Sequence, residues 1–245
     1  MTTKQPSKTG SGRLKRFRIL VCWLLTLTSV GFPLHLASSH DRSGVEPLVP
    51  LATRFPYSFL KTDILPLFSS MELESFLEQI DGLPPNWTDL HDHKGEESGD
   101  RLFHFNRQRD QARAHHSLLH QKVAFLWSGL LRDYQASQQG FTVALGPTVT
   151  QTPWGIVRFK PVGLPDAMIA IPPKPLQNPF QQRLKTGKEI DINVLFIGRL
   201  QPYESIIYGF SHEERDQGMV MPVVKIEAVH YFFSPPAKIQ QNNPE

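Results

Sequence analysis

Apolar positions fall into two textures along the chain. Up to Gln138 they recur mainly at helical spacing; from Phe141 they alternate or run together in short stretches bounded by Gly and Pro. In MELESFLEQI (71–80), Leu73, Phe76, Leu77 and Ile80 share one helical face, and Ser70 stands at the N-cap position. Asp81-Gly82 and Pro84-Pro85 end that helix. Residues 86–100 are polar and read as a loop. Residues 101–138 hold no proline and no glycine before Gly129. There Ala112, Leu119, Val123, Leu126, Trp127, Leu130 and Tyr134 line one face at 100° per residue, which predicts a single long amphipathic helix.

The second texture predicts strands at FTVALGPTV (141–149), WGIVRFK (154–160) and DAMIAI (166–171). Asn178-Pro179 then marks the start of a short helix that Gly187 stops. Three more apolar segments follow, EIDINVLFIGRL (189–200), SIIYGF (205–210) and VVKIEAVHYFF (223–233). In the last, Val224, Ile226 and Ala228 alternate with Lys225 and Glu227, but the end of the segment is apolar in both phases. The expectation is an α+β fold, with N-terminal helices packed on a C-terminal antiparallel small β-barrel or bent sheet. Its order, β-β-β-α-β-β, is like that of oligonucleotide/oligosaccharide-binding (OB) barrels. The expected organisation is a signal peptide or signal anchor (1–39), an extended proline-containing segment (40–56), a helical part (57–140), a β-rich barrel-like domain (141–233) and a disordered tail (234–245).

Charge changes the picture at the N-terminus. The whole chain carries 26 basic and 23 acidic side chains, with a pI near 9.0. Six of the basic ones, and no acidic one, lie in residues 1–39. That basic stretch precedes the apolar run Ile19–Val30 and the small residues Ala37, Ser38 and Ser39, the pattern of a secretory signal cleaved near Ser39. Without this leader the body is slightly acidic, which removes the general electrostatic pull on phosphates; no nucleic-acid partner is expected. Cys22, the one cysteine, leaves with the leader, so the body has no disulfide and no thiolate chemistry. The protein is expected to be exported, periplasmic or extracellular. Membrane attachment through an uncleaved N-terminal segment is the alternative.

Candidate chemistry is sparse. His91 and His93 form H-x-H in the polar loop, and His116 and His120 stand one turn apart on the predicted helix, so the four could hold a divalent metal such as zinc. The plainer alternative is a core-facing His116 with one nitrogen hydrogen-bonded. Ser211-His212-Glu213 places nucleophile and base on adjacent residues, which point apart. G-x-S-x-G, H-E-x-x-H and phosphate-binding glycine loops are absent. Glu204, Glu213, Glu214 and Asp216 group near a turn, but acidic turns are ordinarily solvated. Aromatic residues concentrate in the strand half with cations among them, and Trp154, Arg158, Arg199, Tyr203 and Tyr208 are the candidate ligand-binding set. The functional expectation is a non-catalytic binding or assembly module of the cell envelope, using an aromatic-rich β face toward a protein partner or a polysaccharide. The alternatives are a His/carboxylate metal protein and a membrane-anchored subunit of an envelope complex.

Overall fold

The computed structural model of the chain describes residues 44–51, 56–91, 96–211 and 217–234. The leader, the tail beyond Ser234, His93 and the pair His212-Glu213 lie outside them. The N-terminal half contributes β1 (Gly44–Pro50), a 3-10 turn (Tyr57–Phe59), β2 (Ile64–Pro66), α1 (Ser70–Asp81), α2 (Trp87–His91), α3 (Glu96–Arg113) and a second 3-10 turn (Ser117–His120). There follow β3 (Lys122–Gln135), β4 (Gly140–Gly146), β5 (Thr150–Thr152), β6 (Gly155–Val157), β7 (Lys160–Val162) and β8 (Met168–Ile171). The chain then forms α4 (Lys174–Lys185), β9 (Asp191–Leu200), β10 (Ile206–Phe210) and β11 (Gly218–Phe233).

Six strands close into a barrel in the ring order β1-β8-β4-β3-β9-β11, and β11 returns to β1. β2 adds to β3; β6, β7 and β10 add to β11; β5 adds to β6. The coarse expectation of helices on a small barrel holds. The OB-like order does not describe this ring, which draws β1 and β3 from the N-terminal half. The extended proline-containing segment supplies a barrel strand. β1 is parallel to both of its neighbours, β8 and β11, and Tyr231 inside the barrel donates its hydroxyl to the Gly44 carbonyl at 2.8 Å. Burial, and secondarily the charge of Glu46, raise that hydroxyl well above the ordinary tyrosine range, so it stays a donor.

The long helix predicted over 101–138 ends at Arg113, and its second half is β3. Val123, Phe125 and Trp127 point into the barrel core, where Phe125 stacks on Phe159 at 4.2 Å and on Phe196 at 5.1 Å. Ala124 and Leu126 point outward and are covered by Leu60, Ile64 and Phe68 from the connecting segment. A strand buried on both faces satisfies helical and strand periodicity at once, so apolar spacing alone misassigns it.

β11 resolves its own double phase by a bulge. Its register to β9 slips between Ile226 and Ala228. Val224 and Ile226 face the core before the slip, and Val229, Tyr231 and Phe233 face it afterwards. Glu227, at the bulge, meets Lys122 at 2.8 Å and Arg199 at 3.0 Å. Partial burial pushes its carboxyl up, but the hydrogen bond and charge of Lys122, then those of Arg199, outweigh this and hold it below the ordinary glutamate range.

Helix ends follow local chemistry. α1 starts one residue earlier than expected: Ser69, not Ser70, is the N-cap, and it forms a reciprocal capping box with Glu72. The loop expected at 86–100 contains α2 and the start of α3; Asn86 Oδ1 accepts from the Asp89 N–H at 3.3 Å. α4 begins at Lys174 rather than at Pro179, because Pro175 sits in the first turn, where a missing N–H costs nothing. Gly187, at φ 75°, ends α4 as expected: its N–H bonds the Leu184 carbonyl and Lys188 N–H bonds that of Arg183. Phe180 of α4 lies edge-on to Phe141 and Phe233, so this helix covers one mouth of the barrel. Among the described residues no helix is long and apolar enough to cross a membrane.

Candidate functional site

α3 is a polar helix, yet it seals an exposed strand edge. Asn106, Arg109 and Arg113 fall within about 60° of one another around a helix at 100° per residue. Asn106 treats β10 as a strand partner would: its Oδ1 accepts from Tyr208 N–H at 2.8 Å and its Nδ2 donates to Tyr208 C=O at 2.9 Å. Arg113 Nη2 donates to the Ile206 carbonyl at 2.6 Å. Residues 206 and 208 carry the free edge of β10, whose other edge pairs with β11. Side chains of α3 therefore satisfy backbone groups that would otherwise invite another strand.

The same face builds an ionic cluster against α1. Arg113 Nη1 reaches Asp81 at 2.7 Å and Nη2 reaches Asp110 at 2.6 Å. The side chains of Arg113 and Asp81 are each only 1% exposed. Tyr208 donates its hydroxyl to the same Asp81 oxygen at 2.5 Å. Burial first, then the charge and hydrogen bond of Asp81, raise the Tyr208 hydroxyl far above its ordinary range, although Arg109 and Arg113 oppose the shift. It is a fixed donor. Such a cluster costs desolvation and repays it only because each charge has a partner.

Arg109 completes the cluster and enters a cage of rings. Its guanidinium carbon lies 4.6 Å from the centre of Phe105, 5.0 Å from that of Tyr208 and 5.5 Å from that of Trp154. Nη1 is 3.4 Å from the Asp81 carboxylate and 3.3 Å from the Tyr208 hydroxyl; Nη2 donates to the Leu83 carbonyl at 2.6 Å. Behind the cage, the Trp87 indole N–H donates to the Trp154 carbonyl at 2.9 Å. Trp87 lies flat on Gly218, where a Cβ would come within 2.2 Å of the indole; only glycine lets the ring seat there.

The predicted ligand-binding set is thus divided. Trp154 and Tyr208 are buried and meet at Arg109. Arg158 is exposed, while Arg199 pairs with Glu227 and donates to the His120 carbonyl at 2.7 Å. Tyr203 stands 89% exposed in the turn before β10. Sequence reasoning misses Asp81, Phe105, Asn106, Arg109 and Arg113; the shared face of the last three is the available signal.

The metal expectation is corrected. Among the described residues no group of three His, Cys, Asp or Glu side chains could hold an ion, so His91, His116 and His120 form no zinc site. The i, i+4 pairing needs an α-helix across 116–120, but a 3-10 turn occupies that stretch. His116 is its N-cap and its Nδ1 accepts from Leu118 N–H at 3.3 Å. His91 instead lies against the Phe210 ring at 4.6 Å, and His120 is exposed.

A second feature is a cleft of about 660 Å³ between α4 and the ends of β3 and β4. Leu131 and Phe141 form its buried floor, and Leu184 and Tyr134 are the partly exposed apolar side chains along it. Arg132, Lys185 and Lys188 bring positive charge to it, and Asp133 and Glu189 negative charge. Beside it Gln177 donates to the Tyr134 hydroxyl, which ties α4 to the end of β3. No family model matches the chain, and neither a curated protein nor a solved structure is significantly similar to it.

Proposed function

We propose that the protein is an exported cell-envelope binding module without catalytic chemistry of its own, and that it receives a protein partner in the cleft between α4 and the barrel mouth. The carrying observation is the character of that cleft: partly exposed Leu184 and Tyr134 over a buried floor of Leu131 and Phe141, with side chains of both signs around them. A polypeptide brings an apolar side chain and charges of both signs together. The aromatic residues of the strands favour the cleft over a flat β face, since Trp154, Phe159, Tyr208, Tyr231, Phe232 and Phe233 are buried. The basic, apolar and small-residue order of residues 1–39 supports export.

Photo-cross-linking in the source organism tests this. A benzophenone side chain at Gln181, in the cleft, is expected to yield a discrete polypeptide adduct that the same probe at exposed Glu78 on α1 does not. An adduct with glycan only, or identical adducts from both positions, would overturn the reading. N-terminal sequencing of the same material should begin near residue 40.

A further inference from the structure

We infer that Asp81, the Leu83 carbonyl, Phe105, Trp154 and Tyr208 form a guanidinium-recognition site that the chain keeps occupied with its own Arg109. The inference is independent of the α4 cleft. Three rings face the cation at 4.6, 5.0 and 5.5 Å, within the range where the ring quadrupole attracts it. A carboxylate and a hydroxyl oxygen lie at 3.4 and 3.3 Å from one terminal nitrogen, and a carbonyl lies at 2.6 Å from the other. These acceptors serve both arms of a planar fork. An ammonium group is a compact point charge and cannot reach both arms while lying between the rings. The ligand class is therefore the guanidinium of an arginine side chain.

Arg109 is a removable occupant. Asn106 and Arg113 hold α3 on β10 by their own bonds, and Asp81 keeps Arg113 and Tyr208 as partners if Arg109 leaves. The Arg109 side chain is 15% exposed, so the cage opens to solvent along it. An arginine presented by a partner then competes with an internal one, and Arg109 acts as an autoinhibitory plug.

The test uses the full chain with Arg109→Ala and, as a variant that keeps much of the side-chain stem, Arg109→Gln. Ethylguanidinium is titrated against each while Trp fluorescence and the melting temperature are followed. Both variants should show saturable, stabilising binding at millimolar concentrations. Ethylammonium should bind at least roughly tenfold more weakly, and the wild type should show no saturation over the same range, because its site is filled. Equal response to the two cations, a wild type that saturates like the variants, or no saturation in either variant would overturn the inference.

Discussion

Replacing Arg113 with methionine is the sharpest probe of how α1 and α3 are fixed to the barrel. Methionine keeps much of the apolar stem and removes the guanidinium. Three short bonds go: to Asp81 at 2.7 Å, to Asp110 at 2.6 Å and to the Ile206 carbonyl at 2.6 Å. Asp110 is 19% exposed and can turn toward water at small cost. Asp81 is 1% exposed and keeps only the Tyr208 hydroxyl and the longer Arg109 contact, while the Ile206 carbonyl loses this partner. Breaking a buried pair from one side costs about 3–5 kcal/mol. For a chain of 245 residues, each kcal/mol is worth about 2–4 °C, so the melting temperature should fall by about 10 °C. Asp81→Asn should cost less, because Arg113 retains Asp110 and the Ile206 carbonyl. The double variant should be more stable than the sum of the two losses predicts, with a coupling of about 1–3 kcal/mol. Urea denaturation of the four proteins measures this. A loss below about 1 kcal/mol for Arg113→Met, or strict additivity, would refute the claim that these groups act as one buried unit.

Phe125→Ala removes a ring stacked on Phe159 and Phe196 at the centre of the barrel and should cost about 3–5 kcal/mol in the same denaturation assay. Gly218→Ala forces a Cβ to within 2.2 Å of the Trp87 ring; it should displace the indole, red-shift Trp fluorescence and cost about 1–3 kcal/mol. Glu227 titrates below its ordinary value, so the stability it adds is present above the unfolded-state glutamate pKa and is lost as pH falls through the lower folded value. The stability difference between wild type and Glu227→Gln should therefore be visible at neutral pH and vanish in acid. It should stay below about 1 kcal/mol, since these side chains are 32–49% exposed.

Features set by neighbours along the chain are legible in the sequence. The apolar face of α1, the glycine stop of α4 and the strands from Phe141 onward rest on local chemistry and period. The features that local pattern misplaces depend on tertiary cover. β3 reads as a helix because residues 60–68 hide its outer face, and nothing near Val123 in sequence announces that. The double phase of β11 reads as a strand end buried on both sides; part of it is a bulge at Glu227, placed by its pairing to β9. His116 and His120 invite a metal only if their spacing lies on an α-helix, which that stretch does not form. The Arg109 cage joins residues 81 to 208, so only folding could bring Trp154 and Tyr208 to one guanidinium. The arginine itself stands on a helix face whose polar sequence reads as solvent-exposed.

Partner engagement at the α4 cleft is tested most directly by the affinity of the polypeptide captured at Gln181 for wild type and for Leu184→Arg. Leu184 lines the apolar part of the cleft and is only partly buried where it packs against the core, so the substitution puts a charge into the site at a modest cost in stability. The predicted result is at least a roughly tenfold loss of affinity in a variant that still melts cooperatively above the assay temperature. Unchanged affinity in the folded variant would contradict it.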